Sequence, residues 1–131
     1  MAIDLDIQLK EEYLSVRMTG EWSLVAACDA FKKMLDAADG HGATKILVDC
    51  LQLQGRPSTL DIFHYAEFGA QELAKPAKSG QRRYLHLAYI ATAPIADKEH
   101  FGALVARNRG VDVITVDTVA EGLEWLRDQS P

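Results

Sequence analysis

Apolar and polar residues alternate at the start of the chain, with Ile3, Leu5, Ile7 and Leu9 set against Asp4, Asp6, Gln8 and Lys10. Period two predicts a strand with one buried face. Leu14, Val16 and Met18 alternate with Ser15 and Arg17, which predicts a second strand. Only about residues 10–12 lie between the two, so they should form an antiparallel hairpin. Ser23 can accept a hydrogen bond from an orphan backbone N–H and so open a helix. Leu24, Ala27, Cys28, Phe31, Met34, Leu35 and Ala38 then recur at three- and four-residue spacing along one face. Gly40 and Gly42 end the helix, glycine supplying the left-handed turn.

Residues 45–50 follow another pattern. Ile46-Leu47-Val48 is an unbroken apolar run, which predicts a central strand covered on both sides. A loop is expected over residues 52–57. Ser58-Thr59-Leu60-Asp61 is a capping box that opens a second helix, lined by Ile62, Phe63, Ala66, Gly69, Ala70 and Leu73 and stopped by Pro76. Residues 84–91 read as a fourth strand, with Leu85, Leu87 and Tyr89 on one face and Ala88 and Ile90 on the other. Asp97 is placed to cap a third helix with Phe101, Leu104, Val105 and Asn108 along one side, halted at Gly110. Residues 111–116 make a fifth strand. A second capping box at residues 118–121 starts a last helix, with Val119, Leu123 and Leu126 facing inward. The order ββαβαβαβα predicts an α/β fold: one mixed, mostly parallel sheet of about five strands, with helices on both faces and the first strand antiparallel.

Length and composition narrow the class. The chain has 131 residues, enough for one domain over residues 1–131 that buries a core without a disulfide or metal staple. The acidic, alternating N-terminus does not read as a signal peptide. No apolar run approaches the ~20 residues of a membrane span. Cys28 and Cys50 sit in apolar patterns outside any CxxC motif, which suits free thiols in a reducing cytoplasm. A net charge of −5 argues against general nucleic-acid binding. The charge is uneven, since residues 75–109 hold seven basic and two acidic side chains. That stretch reads as a solvated loop followed by a helix end that favours cations, with a positive patch as the alternative.

Catalytic chemistry finds little support. Residues 40–45 lack the G-x-x-x-x-G-K-[ST] pattern and precede a strand, whereas a phosphate loop must follow one. His41, His64, His86 and His100 offer no zinc-site spacing. A G-x-S-x-G elbow is missing, and Cys50 has no base assigned beside it. Neither a cofactor nor a metal is expected. One region stands out by position, the rim at the carboxyl ends of the parallel strands, where α/β proteins meet ligands and partners. There, Asp49, Arg56, Ser58, Thr59 and Asp61 make a candidate partner or anion site, because Ser58 opens a helix whose free N–H groups attract anions. Helix capping alone is the competing role of Ser58.

The same residues carry a resemblance. Ile46-Leu47-Val48-Asp49 followed by Ser58 resembles the STAS domain of bacterial anti-sigma-factor antagonists, in which a strand ends in aspartate and a D-S-[SA]-G sequence opens the next helix. In that family the serine is phosphorylated by a partner kinase. Here Pro57 replaces the aspartate, and Thr59-Leu60 replaces the small residue and the glycine. The chain is more similar to the SpoIIAA-like branch of STAS/SEC14-type proteins over about residues 3–127. Segments 45–49, 55–61, 97–102, 106–110 and 121–126 carry that likeness. It implies a small cytoplasmic regulatory or binding domain with no known reaction.

Three functions compete. The first is a non-catalytic interaction module with its partner surface at the start of the second helix. The second is a carrier or sensor of a small apolar or amphipathic ligand, with Phe63, Tyr65, Phe68 and Phe101 as candidate pocket residues, which the resemblance to lipid-binding folds implies. An enzyme of unknown reaction is third. The partners left open are a protein, a small apolar ligand and a second copy of the chain.

Overall fold

A computed structural model describes residues 2–96 and 100–130. Strand β1 (Asp4–Leu9) and strand β2 (Leu14–Glu21) form the antiparallel hairpin, closed by the Lys10 N–H donating to the Tyr13 carbonyl at 2.9 Å. Then follow α1 (Leu24–His41), β3 (Lys45–Gln54), α2 (Thr59–Ala74), β4 (His86–Ile90), α3 (Phe101–Arg107), β5 (Asp112–Val116) and α4 (Val119–Arg127). The five strands lie in chain order, β1-β2-β3-β4-β5, and every pair after the first is parallel. β3 is central, as its unbroken apolar run predicts.

The chain order of the strands explains how the helices divide. Each crossover moves one strand in the same direction, and right-handed crossovers of one direction all fall on one face of a sheet. Accordingly α1, α2 and α3 share a core with Ile46, Val48, Leu87 and Val113. Only α4, which follows the last strand, covers the opposite face, where Leu47, Ala88 and Ile90 pack with Leu126. Both faces of the centre are therefore dry, and Ile46, Val48, Ala88 and Ile90 have no exposed surface.

Side chains cap three of the helices. Ser23 accepts from the Ala26 N–H at 3.2 Å, Ser58 from the Asp61 N–H at 3.0 Å and Thr118 from the Glu121 N–H at 3.2 Å. Gly42 closes α1 with φ +65°, a left-handed conformation that glycine adopts at little cost.

The structure departs from the sequence reading in four places, one being β4, which spans His86–Ile90 where a strand was expected over residues 84–91. β3 continues to Gln54, where a loop was expected from Gln52, because β2 is also longer and pairs Thr19, Gly20 and Glu21 with residues 52–54. Leu53 between its two glutamines is buried, so the end of β3 is an alternating half-buried strand. The inner face of α3 consists of Ala103, Val105 and Ala106, while Leu104 is exposed. In α4 the sheet is met by Gly122 and Leu126, and Val119 turns outward. Small residues mark these two contacts, and a search for large apolar side chains passes over them. The expected cap at Asp97 lies outside the described residues.

Candidate functional site

The loops that follow β2 and β3 lie against each other. The Trp22 N–H donates to the Gln54 carbonyl at 2.8 Å, and a Cβ at Gly55 would stand 3.5 Å from Trp22. Gly55 has φ +120°, so glycine suits both the turn and the close approach. This contact sets the first turns of α1 and α2 on one rim. Arg56, Ser58 and Thr59 are exposed there, and Asp61 lies in the first turn, where the helix dipole favours an acidic side chain. Two large apolar side chains stand on the same rim in water: Val25 in α1, 83% exposed, and Leu60 in α2, 64% exposed.

Asp49 stands apart from this group. Its Oδ1 accepts from the Leu51 N–H at 3.0 Å, and its Oδ2 lies 3.6 Å from Arg17 Nε. Strand alternation puts it on the same face as Leu47, opposite to Val48 and Cys50. Among the described residues no hydrogen bond or ion pair joins Asp49 to Arg56 or Ser58. The candidate anion site is thus divided between a helix start and a strand surface.

A cavity of about 120 Å³ lies between the sheet and helices α1, α2 and α3. It exists because α2 and α3 present Ala66, Ala70, Ala103 and Ala106 where bulky residues would fill the layer, while Gly69 and Gly102 let Phe31 and Ile62 approach closely. Tyr65 is the centre of an aromatic cluster beside it. Its ring meets those of Trp22, Phe31 and Tyr89 edge-on, with centroids 6.2, 6.0 and 6.5 Å away. The hydroxyls of Tyr65 and Tyr89 are 2.8 Å apart, one donating to the other. Burial raises both phenols above their ordinary acidity range, so both stay protonated at neutral pH.

Of the four aromatic residues expected to line a pocket, Tyr65 lines this cavity. Phe63 lies against the Arg109 guanidinium, 5.2 Å from its ring centre, and Phe68 packs edge-on to Phe31 with the Lys32 ammonium 5.8 Å from its ring. Phe101 opens α3 and packs against the larger core. Sequence reasoning gave no role to Trp22, Phe31 or Tyr89 at this place. The signal for Tyr89 was the alternation of β4, which turns it toward the same side as Leu87.

The basic stretch is paired internally. Arg83 binds Asp39, Lys75 binds Glu72, Lys78 reaches Asp36 at 3.7 Å, and Arg109 reaches Glu67 at 3.6 Å. Four of the seven basic side chains of residues 75–109 thus have acidic partners, while Arg82 lies over the Tyr84 ring and Arg107 donates to the Val113 carbonyl. Both cysteines are free. Burial raises the Cys28 thiol, and it pushes the wholly buried Cys50 thiol up to about 12. No group of His, Cys, Asp and Glu among the described residues is disposed to hold a metal ion. No helix among them is long and apolar enough to cross a membrane.

Solved structures share this architecture. An anti-sigma factor antagonist from Mycobacterium paratuberculosis superposes with a TM-score of 0.59 at 15% identity, covering 97% of this chain and 96% of its own. An uncharacterised protein with a SpoIIAA-like fold from Shewanella loihica gives 0.54 at 17% identity, covering 95% and 94%. The chain has the STAS-type, SpoIIAA-like fold. No protein-family model matches it, and no curated protein matches it in sequence.

Proposed function

We propose that the chain is a non-catalytic regulatory module of the cytoplasm that docks a protein partner on the rim at the start of α2. The observation that carries this reading is the pairing of bare apolar side chains, Val25 and Leu60, with a polar, capped helix start on one rim. An apolar centre within a polar border is how protein interfaces are composed. The likeness in fold to an anti-sigma factor antagonist, whose target is itself a protein, supports the reading. Ser58 is the natural place for a switch: a phosphate there adds about −1.5 to −2 charges beside the apolar contacts. Asp61 would oppose that charge, and the helix N-terminus and Arg56 would favour it.

A photo-crosslinking residue at position 60, compared with one at the exposed Leu104 on α3, tests the rim in living cells. A discrete heteromeric adduct from position 60 and none from position 104 is expected. An adduct of twice the chain mass would replace the partner protein with a second copy of the chain. Equal or absent labelling at both positions would overturn the docking surface. A second reading, a carrier or sensor of a small apolar ligand, is favoured by the cavity beneath α2.

A further inference from the structure

Among the described residues the cavity wall holds no Asp, Glu, Lys or Arg side chain. Its described lining is aliphatic and aromatic, and the polar groups that reach it belong to Tyr65, Tyr89, Thr115, His100 and the rings and thiol beside them. No carboxylate, ammonium or guanidinium of the described lining offers a counter-charge, so losing the hydration of an ionised ligand there is costly. Size restricts the ligand further. A 150 Å³ apolar cavity engineered into another protein takes up benzene, and this one is of similar size, about 120 Å³.

The tyrosine pair adds direction. Two hydroxyls carry two protons, and a single hydrogen bond between them uses one. The second O–H remains available to an acceptor, and the unused lone pairs are available to a donor. Both groups sit in an apolar wall, where a hydrogen bond is stronger than in water and an unmade one is costly. Rings of Trp22 and Phe31 flank the pair and offer edges and faces to a flat molecule.

We propose that this cavity binds a neutral, single-ring molecule bearing one hydroxyl or carbonyl oxygen, held at that oxygen by the Tyr65–Tyr89 hydroxyl pair. The proposal rests on the carrier reading and specifies its ligand. It also sets a preference that a purely hydrophobic void would not have. Toluene enters an apolar void more readily than p-cresol, because p-cresol must shed the water on its hydroxyl. The tyrosine pair reverses that order.

The test is titration of the full-length protein with p-cresol, toluene and octanoate, followed by chemical shifts of the Ala66 and Ala103 methyl groups. The expected result is p-cresol binding roughly three- to tenfold tighter than toluene, with octanoate weakest. In the double variant Tyr65→Phe/Tyr89→Phe the p-cresol advantage should vanish while toluene affinity stays, which also shows the variant to be folded. If toluene binds as tightly as p-cresol in the unmodified protein, the hydroxyl anchor is wrong and the carrier reading survives. If octanoate binds tightest, the neutral class is wrong. If none of the three shifts either methyl group, the carrier reading fails and the ligand class fails with it. The wild-type comparison decides even if the double variant does not fold.

Discussion

Arg83 grips Asp39 with both prongs of its guanidinium, Nε to Oδ1 at 3.1 Å and Nη2 to Oδ2 at 2.7 Å, across the gap between β4 and the end of α1. Its remaining nitrogen donates to the carbonyls of Glu72 and Lys75, at 3.0 and 3.1 Å, and so closes the C-terminal end of α2. The two side chains are 11% and 15% exposed. One residue thus ties the end of α1, the end of α2 and the segment before β4 together, and its donors join the Lys75 N–H in satisfying carbonyls at the end of α2.

Removing that grip should be among the larger single-site losses. Arg83→Ala leaves Asp39 nearly buried without its fork and the Lys75 carbonyl without the Arg83 donor, for an expected cost of about 3 kcal/mol. Arg83→Lys keeps the charge but loses the fork, so an intermediate cost of about 1–2 kcal/mol is expected. Urea unfolding midpoints of the three proteins measure this. Equal stability of all three would mean that the bridge contributes nothing.

Ser58 has two separable roles to test. As a cap, Ser58→Ala should cost about 0.5–2 kcal/mol. Ser58→Glu, with the protein still folded, should abolish the adduct formed from position 60. An Ala variant that loses stability alone, paired with a Glu variant that keeps the adduct, would restrict Ser58 to capping.

Two glycines should respond to alanine with opposite signs. At Gly122 a Cβ would come within 2.5 Å of Ile90 Cδ1 and 2.8 Å of Leu47 Cδ1, both in the packed layer beneath α4. Overpacking there should destabilise by about 1–3 kcal/mol, partly offset by the better helix propensity of alanine. At Gly40, inside α1, nothing lies within 4 Å of a Cβ and φ is not positive. Gly40→Ala should stabilise by about 0.4–1 kcal/mol. Thermal melts of both variants give the two signs directly.

Stability should fall on the alkaline side. The folded chain holds the protons of Cys50, Tyr65 and Tyr89 more tightly than the unfolded chain, whose thiols and phenols titrate near 9.0 and 10.0. Groups with raised values contribute stability that is complete below the unfolded values and is lost as pH rises above them. Each contributes up to about 1.4 kcal/mol per pH unit across its window. Denaturant midpoints should stay flat through neutrality and drop steeply above about pH 10, and Tyr89→Phe should make the drop shallower. The same chemistry predicts slow labelling of Cys50 by thiol reagents until the chain unfolds.

Much of the fold was legible because its signals are local. Ser23, Ser58 and Thr118 cap the helices they were expected to cap, and the apolar run at Ile46-Leu47-Val48 fixed the central strand before any tertiary contact was known. The cavity was not legible in the same way. It arises from what Ala66, Ala70 and Ala103 fail to fill, and a pattern of large apolar residues contains no term for missing volume. Phe63 and Phe68 share α2 with Tyr65, yet they pack beside Arg109 and Lys32. Helical spacing gave the face, but the depth of each ring depends on the neighbouring element. Asp49 and Ser58 are near each other in sequence, yet strand alternation turns Asp49 toward Arg17.

The strand order carries a kinetic consequence. Each strand pairs only with its neighbours in sequence, so no step of assembly requires the two ends of the chain to meet. The hairpin of β1 and β2 can form first with a short loop, and every later strand adds to an edge that already exists. Loop-closure entropy is therefore met in small instalments, and a parallel sheet built this way should fold faster than one whose strand order is shuffled relative to the chain.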